Sequence, residues 1–204
     1  MSFNEEGLLV IRNFITEKHI VLILRYLNIV KDKYKKHHAL TEKRVENDKY
    51  HPNTFSFYSP LCTEVFLLDS LAKVEARVGV KLVPSYSYAR IYYNGSNLER
   101  HTDRACSEYG ISVCLEKDNS SWPLIVIDRC GKEQQINLEV GDAVIFCGME
   151  LEHYRDILEG EFHTQMFLFY MPAELSDQEQ FLDGRGSLGI PPINKSKTEV
   201  FCHE

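Results

Sequence analysis

The sequence lacks the features that would place a chain outside the ordinary globular class. No apolar run approaches the ~20 residues that a membrane-spanning helix needs. Residues 1–7 lack the basic-then-apolar pattern of a signal peptide, and no internal repeat or low-complexity tract is present. We therefore expect a soluble, cytoplasmic protein with no membrane partner.

Cysteine pairs with the spacing of metal or redox motifs are also absent. The six cysteines are Cys62, Cys106, Cys114, Cys130, Cys147 and Cys202. None of them forms a C-x-x-C pair, and four of the six lie in or beside apolar runs. This distribution favours reduced thiols that contribute to packing over a disulfide framework.

An excess of positive charge is missing as well. The formal net charge is −7, which argues against a nucleic-acid partner because such proteins need a basic footprint. The charge is uneven, since Lys31–Glu46 carries six Lys/Arg against three Asp/Glu, a net of +3. That stretch keeps an anionic partner open, although a solvated surface is its simpler interpretation.

What is present fits one domain, because 204 residues with 44% hydrophobic and 26% charged content are typical of a single globular unit. Gly7–Phe14 is a strand candidate, and Thr16 can cap a helix over about residues 17–36. Ser59 and Pro60 predict the start of a second helix that ends at Gly79. Its apolar stripe is predicted to comprise Val65, Leu68, Leu71, Ala72 and Ala76.

After Lys81 the sequence changes to short runs of β-branched and aromatic residues bounded by turn residues. Eight strands are predicted: Ser85–Tyr93, Leu98–His101, Gly110–Glu116, Trp122–Ile127, Gln134–Leu138, Ala143–Cys147, Leu151–Tyr154 and His163–Met171. The predicted fold class is therefore mainly β with flanking helices: a double-stranded β-helix (jelly roll) with N-terminal support helices. We expect one domain, with support elements over 1–80, the jelly-roll core over 81–172, and an extension or lid over 173–204.

The candidate metal ligands are His101, Asp103 and His153. Positions i and i+2 of a strand face the same side, so His101 and Asp103 can point at one centre. A jelly roll can bring the strand of His153 alongside. Two imidazoles and one carboxylate form the facial triad of non-haem Fe(II) oxygenases, which leaves coordination positions open for other ligands.

This pattern resembles the Fe(II)/2-oxoglutarate-dependent dioxygenase superfamily, specifically its prolyl-4-hydroxylase-like branch. The resemblance spans about residues 80–172 and is carried by Tyr88–Gly95, Leu98–Arg104, Gly141-Asp142, His153–Arg155, Gly160 and Gln165–Tyr170. It implies Fe(II), 2-oxoglutarate and O2 as cofactor and co-substrates. The expected reaction is hydroxylation of a C–H bond, with release of succinate and CO2.

One departure concerns the basic residue that the family places nine or ten residues after the second histidine, to pair the 5-carboxylate of 2-oxoglutarate. Here the tenth position is His163, which could bind the carboxylate if protonated or as a hydrogen-bond donor. Arg155 and Arg90 are competing candidates, and Tyr93 matches the family tyrosine that donates to the same group.

The substrate side is less constrained by the sequence. Arg104 directly follows the H-x-D motif, and Tyr88 shares a strand face with Arg90 and Tyr92. We expect Arg104 to contact a substrate carboxylate or acidic backbone and Tyr88 to contact the same small-molecule or peptidyl substrate, whereas surface charge and aromatic packing are the alternatives. The oligomeric state is left open.

Two other functions compete with the oxygenase. A non-catalytic, cupin-type metal- or ligand-binding module is favoured because no Arg or Lys stands nine or ten residues after His153. A zinc hydrolase could use the same three ligands and one water, but no further glutamate stands at a motif spacing to act as its base.

Overall fold

The structure, a computed structural model, describes residues 3–41, 53–174 and 181–189. Within these ranges its helices are α1 (Phe3–Glu6), α2 (Glu17–Thr41), α3 (Leu61–Asp69), α4 (Leu71–Val78) and a 3-10 turn (Phe181–Gly184). The strands are β1 (Leu8–Ile11), β2 (Thr54–Tyr58), β3 (Leu82–Tyr93), β4 (Leu98–His101), β5 (Tyr109–Lys117), β6 (Leu124–Ile127), β7 (Glu133–Ile136), β8 (Ala143–Cys147), β9 (His153–Arg155) and β10 (Phe162–Pro172).

The strands form two antiparallel sheets. The larger has the order β1-β8-β5-β10-β3-β2 and the smaller has the order β4-β9-β6-β7. The smaller sheet contributes both predicted histidine ligands, since His101 lies on β4 and His153 on β9. The predicted jelly roll with N-terminal support helices is confirmed.

All eight predicted strands are present, with ends that shift by a few residues. Two further strands come from the N-terminal part of the chain: β1 pairs with β8 and β2 pairs with β3. The polar pattern of residues 38–57, which contain most of β2, predicts no element. The N-terminal part therefore supplies two edge strands as well as helices, and the division at residue 80 stays a prediction.

The helices cover the outer face of the larger sheet. Alternate residues of its central strands, such as Ala89 on β3 and Leu168 on β10, share one apolar cluster with Leu27 of α2 and Leu67 of α3. The hydroxyl of Tyr170 donates to the carbonyl of Leu67 at 2.7 Å and joins β10 to α3. The opposite set of residues on these strands is therefore left to face the smaller sheet.

The buried face of α3 differs from the predicted one. Val65 and Leu68 are 52% and 36% exposed, whereas Thr63, Glu64 and Leu67 are fully buried. The prediction was wrong because it placed polar residues on the solvent side. Here the Thr63 hydroxyl bonds the carbonyl of Pro60 at 2.9 Å, and Glu64 forms an ion pair with Arg185.

The helix that begins after Ser59 is also interrupted. Ser70 separates α3 from α4, and Gly79 ends α4 with a φ of +79°. Ser59 does not cap α3, because its hydroxyl donates to the carbonyl of Ser87 at 3.3 Å. Among the described helices, none is long and apolar enough to cross a membrane.

The register of α3 can be tested with two adjacent leucines. Leu67→Ala is expected to lower the free energy of unfolding by about 2–5 kcal/mol, because it opens a cavity in the core. Leu68→Ala removes the same atoms from an exposed position and is expected to change stability by less than about 0.5 kcal/mol. Urea unfolding followed by circular dichroism measures both, and equal losses would contradict the observed face.

Candidate active site

Three side chains converge between β4 and β9. His101 and His153 lie opposite each other in the antiparallel pair, and Asp103 follows two residues after His101. Asp103 Oδ1 lies 3.7 Å from His101 Nε2 and 3.6 Å from His153 Nε2. One ligand atom from each residue lies within 4.8 Å of the others. The structure thus brings together all three residues that the sequence assigns to a metal site.

Backbone carbonyls orient both imidazoles. His101 Nδ1 lies 2.7 Å from the carbonyl oxygen of Glu99, and His153 Nδ1 lies 2.9 Å from that of Leu151. A carbonyl oxygen only accepts, so each Nδ1 carries the proton and donates. In the neutral ring each Nε2 then presents a lone pair, and such second contacts are what metal-binding histidines ordinarily have.

Asp103 is held in a tight cradle. Its backbone N–H donates to the carbonyl of Gly148 at 2.8 Å. A Cβ placed on Gly148 would lie only 2.1 Å from Asp103 Oδ2, so the carboxylate takes this position because residue 148 has no side chain. Burial alone would raise the pKa of Asp103, but the contacts with His101 and His153 outweigh it and lower the pKa to about 2.

The donor set fits a divalent first-row metal. Asp103 Oδ2 is buried and has no hydrogen-bond partner among the described residues. A buried carboxylate oxygen in that state is costly unless a cation neutralises it. Two imidazole nitrogens and one carboxylate within 4.8 Å of one another match the ligand types of a three-ligand Fe(II) site.

Arg155 lies on the same strand as His153, two residues further along, and is 3% exposed. It donates from Nη1 to the carbonyl of Trp122, and its guanidinium lies 4.7 Å from the Trp122 ring centre. Burial lowers the pKa of Arg155 to about 10, so it stays charged near neutral pH. Within the described ranges no ion pair involves Arg155. This buried cation is suited to a carboxylate ligand.

His163 lies beside Arg155 as a neutral residue. Burial, together with the charges of Arg155 and Lys117, lowers the pKa of His163 to about 3. The expectation that it could be protonated near neutral pH is therefore not supported. Its remaining candidate role is that of a neutral hydrogen-bond donor.

A short hydrogen-bond chain sets the tautomer of His163. The Ser112 hydroxyl donates to Gln165 Oε1 at 3.0 Å, so the Gln165 amide nitrogen donates to His163 Nε2 at 2.5 Å. The proton of His163 is then on Nδ1, which is buried with no partner among the described residues. His163 and Arg155 flank the Trp122 ring, with ring centres of His163 and Trp122 5.3 Å apart. His163 Nδ1 and the Arg155 guanidinium therefore both offer N–H donors to an acceptor in this region between the sheets.

Tyr93 lies on the other side of the sheet. It lines a groove of about 460 Å³ against α2, together with Leu27 and Ile91. Tyr92 occupies the interior position instead: it is 1% exposed, and its ring centre lies 4.8 Å from that of Trp122. Because side chains alternate along a strand, the family match by motif spacing selects the residue on the wrong face. The structure does not bring Tyr93 to the candidate site.

Arg90 and Tyr88 lie on the interior face of β3. Arg90 Nε donates to the Ser56 hydroxyl at 3.0 Å, and Arg90 Nη2 donates to the Tyr88 hydroxyl at 3.2 Å. The guanidinium lies 5.1 Å from the ring centre of Tyr88 and 5.6 Å from that of Tyr92. Arg90 thus contacts β2 and two tyrosine rings on the face of β3 that is turned towards the smaller sheet.

Arg104 is also held in place. Its guanidinium lies 4.2 Å from the Tyr86 ring centre, and Nη2 is 3.3 Å from both the Tyr58 hydroxyl and Asp183 Oδ2. The Tyr58 hydroxyl donates to the same Asp183 oxygen. Burial, followed by the hydrogen bond to Asp183, raises the pKa of Tyr58. Neither Asp183 nor Tyr92 was singled out by the sequence as a site residue, and neither stands in a recognisable motif.

Comparisons with known proteins identify the fold. No family model matches the sequence, and no curated protein matches it significantly. Solved structures do match. HygX from Streptomyces hygroscopicus, with nickel and 2-oxoglutarate bound, has a TM-score of 0.58 and 16% identity, covering 92% of this chain and 93% of that one.

Two further structures agree with this result. A Pseudomonas putida prolyl-4-hydroxylase has a TM-score of 0.59 at 13% identity over 82% of this chain and 94% of that one. A 2OG-Fe(II) oxygenase family oxidoreductase from Burkholderia pseudomallei has a TM-score of 0.61 at 10% identity over 89% of both chains. At these identities the likeness establishes the fold.

The cradle of Asp103 provides a test of the metal site that leaves all three ligands unchanged. Gly148→Ala is expected to weaken Mn(II) binding by about 10- to 100-fold, because the new methyl group displaces the carboxylate. Calorimetric titration with Mn(II) measures the affinity. Gly186→Ala is the control, since a Cβ there meets no atom within 4 Å. Unchanged affinity in folded Gly148→Ala would contradict the assigned geometry.

Proposed function

We propose that this chain, which has the fold of the 2-oxoglutarate- and Fe(II)-dependent oxygenases, is itself such an enzyme. The proposed reaction is hydroxylation of an unactivated C–H bond in a peptidyl residue or a small amino-acid-like substrate. The observation that carries the proposal is the convergence of His101, Asp103 and His153 around one centre, with a buried Asp103 oxygen that lacks a described partner.

The three residues would hold Fe(II) through His101 Nε2, His153 Nε2 and the Asp103 carboxylate. When bound, Fe(II) and 2-oxoglutarate supply the oxidising chemistry: dioxygen is consumed, 2-oxoglutarate becomes succinate and CO2, and a substrate C–H becomes C–OH. The chain's own task is to aim both imidazoles at the metal. The carbonyls of Glu99 and Leu151 do this by accepting the Nδ1 protons.

Arg155 is the residue we assign to the 5-carboxylate of 2-oxoglutarate. It shares a strand and a face with His153, so a co-substrate that chelates the metal can extend along β9 towards it. His163 Nδ1 is a second donor beside Arg155, and Tyr92 closes the same region against Trp122. Arg155 thus supplies the positive charge that the family places on the following strand, where this chain has His163.

The substrate would enter between the two sheets, along the wall that holds Arg90, Tyr88 and Arg104. We propose a small-molecule or peptidyl substrate rather than nucleic acid, in keeping with the net charge of −7, and action in the cytoplasm. The non-catalytic, cupin-type module is the competing function. It loses the feature that favoured it, because Arg155 provides a buried cation near the metal ligands.

Removing one metal ligand tests the reaction class. Purified protein with Fe(II), oxygen and a panel of amino-acid-like compounds is expected to convert 2-oxoglutarate to succinate. His101→Ala is expected to abolish both the conversion and Fe(II) binding while the circular dichroism spectrum stays unchanged. Bound metal with no succinate from any compound in the wild type would favour the cupin-type module.

Arg155→Met tests the co-substrate assignment with a substitution of similar length and no charge. Loss of a charge-assisted pair is expected to weaken anaerobic 2-oxoglutarate binding to the Fe(II) protein by about 10- to 150-fold. Visible charge-transfer absorption measures this binding.

The matched ligand is 2-oxobutyrate, which keeps the chelating end and lacks the 5-carboxylate. Its affinity is expected to be the same in wild type and Arg155→Met, and so is the affinity for Mn(II). If 2-oxoglutarate binds both proteins equally well, another residue holds its carboxylate.

A further inference from the structure

Five aromatic rings form a continuous array on three adjacent strands of the larger sheet. We call this array the aromatic platform; its members are Tyr58 on β2, Tyr86 and Tyr88 on β3, and Phe167 and Phe169 on β10. Tyr88 lies directly opposite Tyr58 on one side and Phe167 on the other, and Tyr86 lies opposite Phe169. Neighbouring ring centres are 4.4–6.4 Å apart, which is the range of favourable aromatic contacts.

The platform lies on the face of the larger sheet that is turned towards the smaller sheet, and the smaller sheet carries both histidine ligands. The Tyr86 hydroxyl lies 2.8 Å from that of Ser107, within the loop that follows Asp103. Tyr88 and Phe167 are only partly buried although they face the interior. Solvent therefore reaches part of both rings. The Arg90 guanidinium lies 5.1 Å from the ring centre of Tyr88, so it is the remaining exposed surface of the two rings that can contact a flat apolar group.

A guanidinium is fixed at the edge of the platform nearest the metal ligands. Arg104 follows Asp103 in the chain and lies on the Tyr86 ring. Its hydrogen bonds to Tyr58 and Asp183 both use Nη2, and it also interacts with the Tyr86 hydroxyl, while an arginine offers five N–H donors. The guanidinium is thus oriented by three side chains, and its own side chain is 32% exposed. A carboxylate can pair with the remaining donors.

The residue that orients Arg104 comes from the far end of the described chain. Arg185 forms an ion pair with Glu64 of α3, in which both side chains are almost completely buried, at 1% and 0% exposed. The backbone N–H of Gly189 donates to the other Glu64 oxygen. These contacts fix residues 181–189 on the support helix and place Asp183 beside Arg104. The C-terminal segment therefore lies beside Arg104 at the edge of the platform.

We propose that the substrate is a flat, apolar carboxylate whose ring lies on Tyr88 and Phe167 and whose carboxylate pairs with Arg104. Asp183 is the positioning residue that holds Arg104 in place. This inference rests on the proposed function, since it names the class of molecule presented to the metal. It narrows the amino-acid-like substrates to those with an aromatic or similarly flat side group.

The test uses 4-fluorophenylacetate and its neutral counterpart 4-fluorophenylacetamide as probes. Their binding to the full chain loaded with Zn(II) and saturating 2-oxoglutarate is measured by fluorine NMR. The acid is expected to bind at least about tenfold more tightly than the amide, because only the acid forms a charge-assisted pair. Replacing Zn(II) with Mn(II) is expected to broaden the signal of the bound acid, which reports closeness to the metal.

Three variants separate recognition from general structure. Arg104→Met is expected to remove the preference for the acid. Asp183→Asn is expected to weaken binding of the acid several-fold and leave the amide unchanged, whereas a merely structural residue would affect both probes alike. Arg100→Met is the control, because Arg100 also lies over a tyrosine ring, at 4.6 Å from Tyr154, and pairs with Glu152 away from the platform.

Equal affinity for acid and amide, or no binding of either at millimolar concentration, would overturn the proposal. So would an acid preference that survives in folded Arg104→Met. If 2-oxoglutarate itself does not bind, the probes are titrated against the Zn(II) protein alone. A carboxylate can also bind Zn(II) directly, so only an acid preference that Arg104→Met removes would support the carboxylate site while the proposed oxygenase function fails.

Discussion

The antiparallel register of β4 against β9 is the constraint on which the candidate site depends. It places His101 opposite His153, although the two are fifty-two residues apart in the chain. Both strands are short, and β9 is also held by β6, with His153 opposite Val126. A slip of one residue would turn each side chain to the other face. The same register fixes Arg155, which alternates back to the face of His153 two residues later.

The interior of the barrel contains polar groups that an apolar core would not tolerate. Asp103 Oδ2 and His163 Nδ1 are buried and have no hydrogen-bond partner among the described residues. Leaving such groups unpaired costs about 1–3 kcal/mol each. The other oxygen of Asp103, Oδ1, lies beside the imidazoles of His101 and His153, and His163 lies beside Arg155. Local costs of this kind are expected where binding rather than folding determines the residue.

How much the sequence could predict follows from the kind of signal each residue carries. The strands are short runs of β-branched and aromatic residues bounded by turn residues, and the H-x-D motif lies at a strand end, so both were predictable. Tyr92 and Tyr93 differ by one position, and only the backbone register shows which of them faces inward. Glu64 is fully buried, and its ion-pair partner Arg185 lies over a hundred residues away. No local sequence pattern near Glu64 therefore predicts this pair. Hydrophobic periodicity therefore assigned the wrong face to α3.

The positions of these residues in the chain explain why the candidate metal ligands were easier to predict than the residues of the proposed substrate site. The metal ligands and Arg155 all lie on β4 and β9 or directly after them, where local spacing encodes geometry. The proposed substrate site combines Tyr58 from the N-terminal part, Tyr86 and Phe169 from the central sheet, and Asp183 from the C-terminal segment. These residues meet because the N-terminal and C-terminal parts both pack against the larger sheet. The proposed recognition of substrate is thus a property of the assembled fold, whereas the candidate metal ligands depend on two short strands.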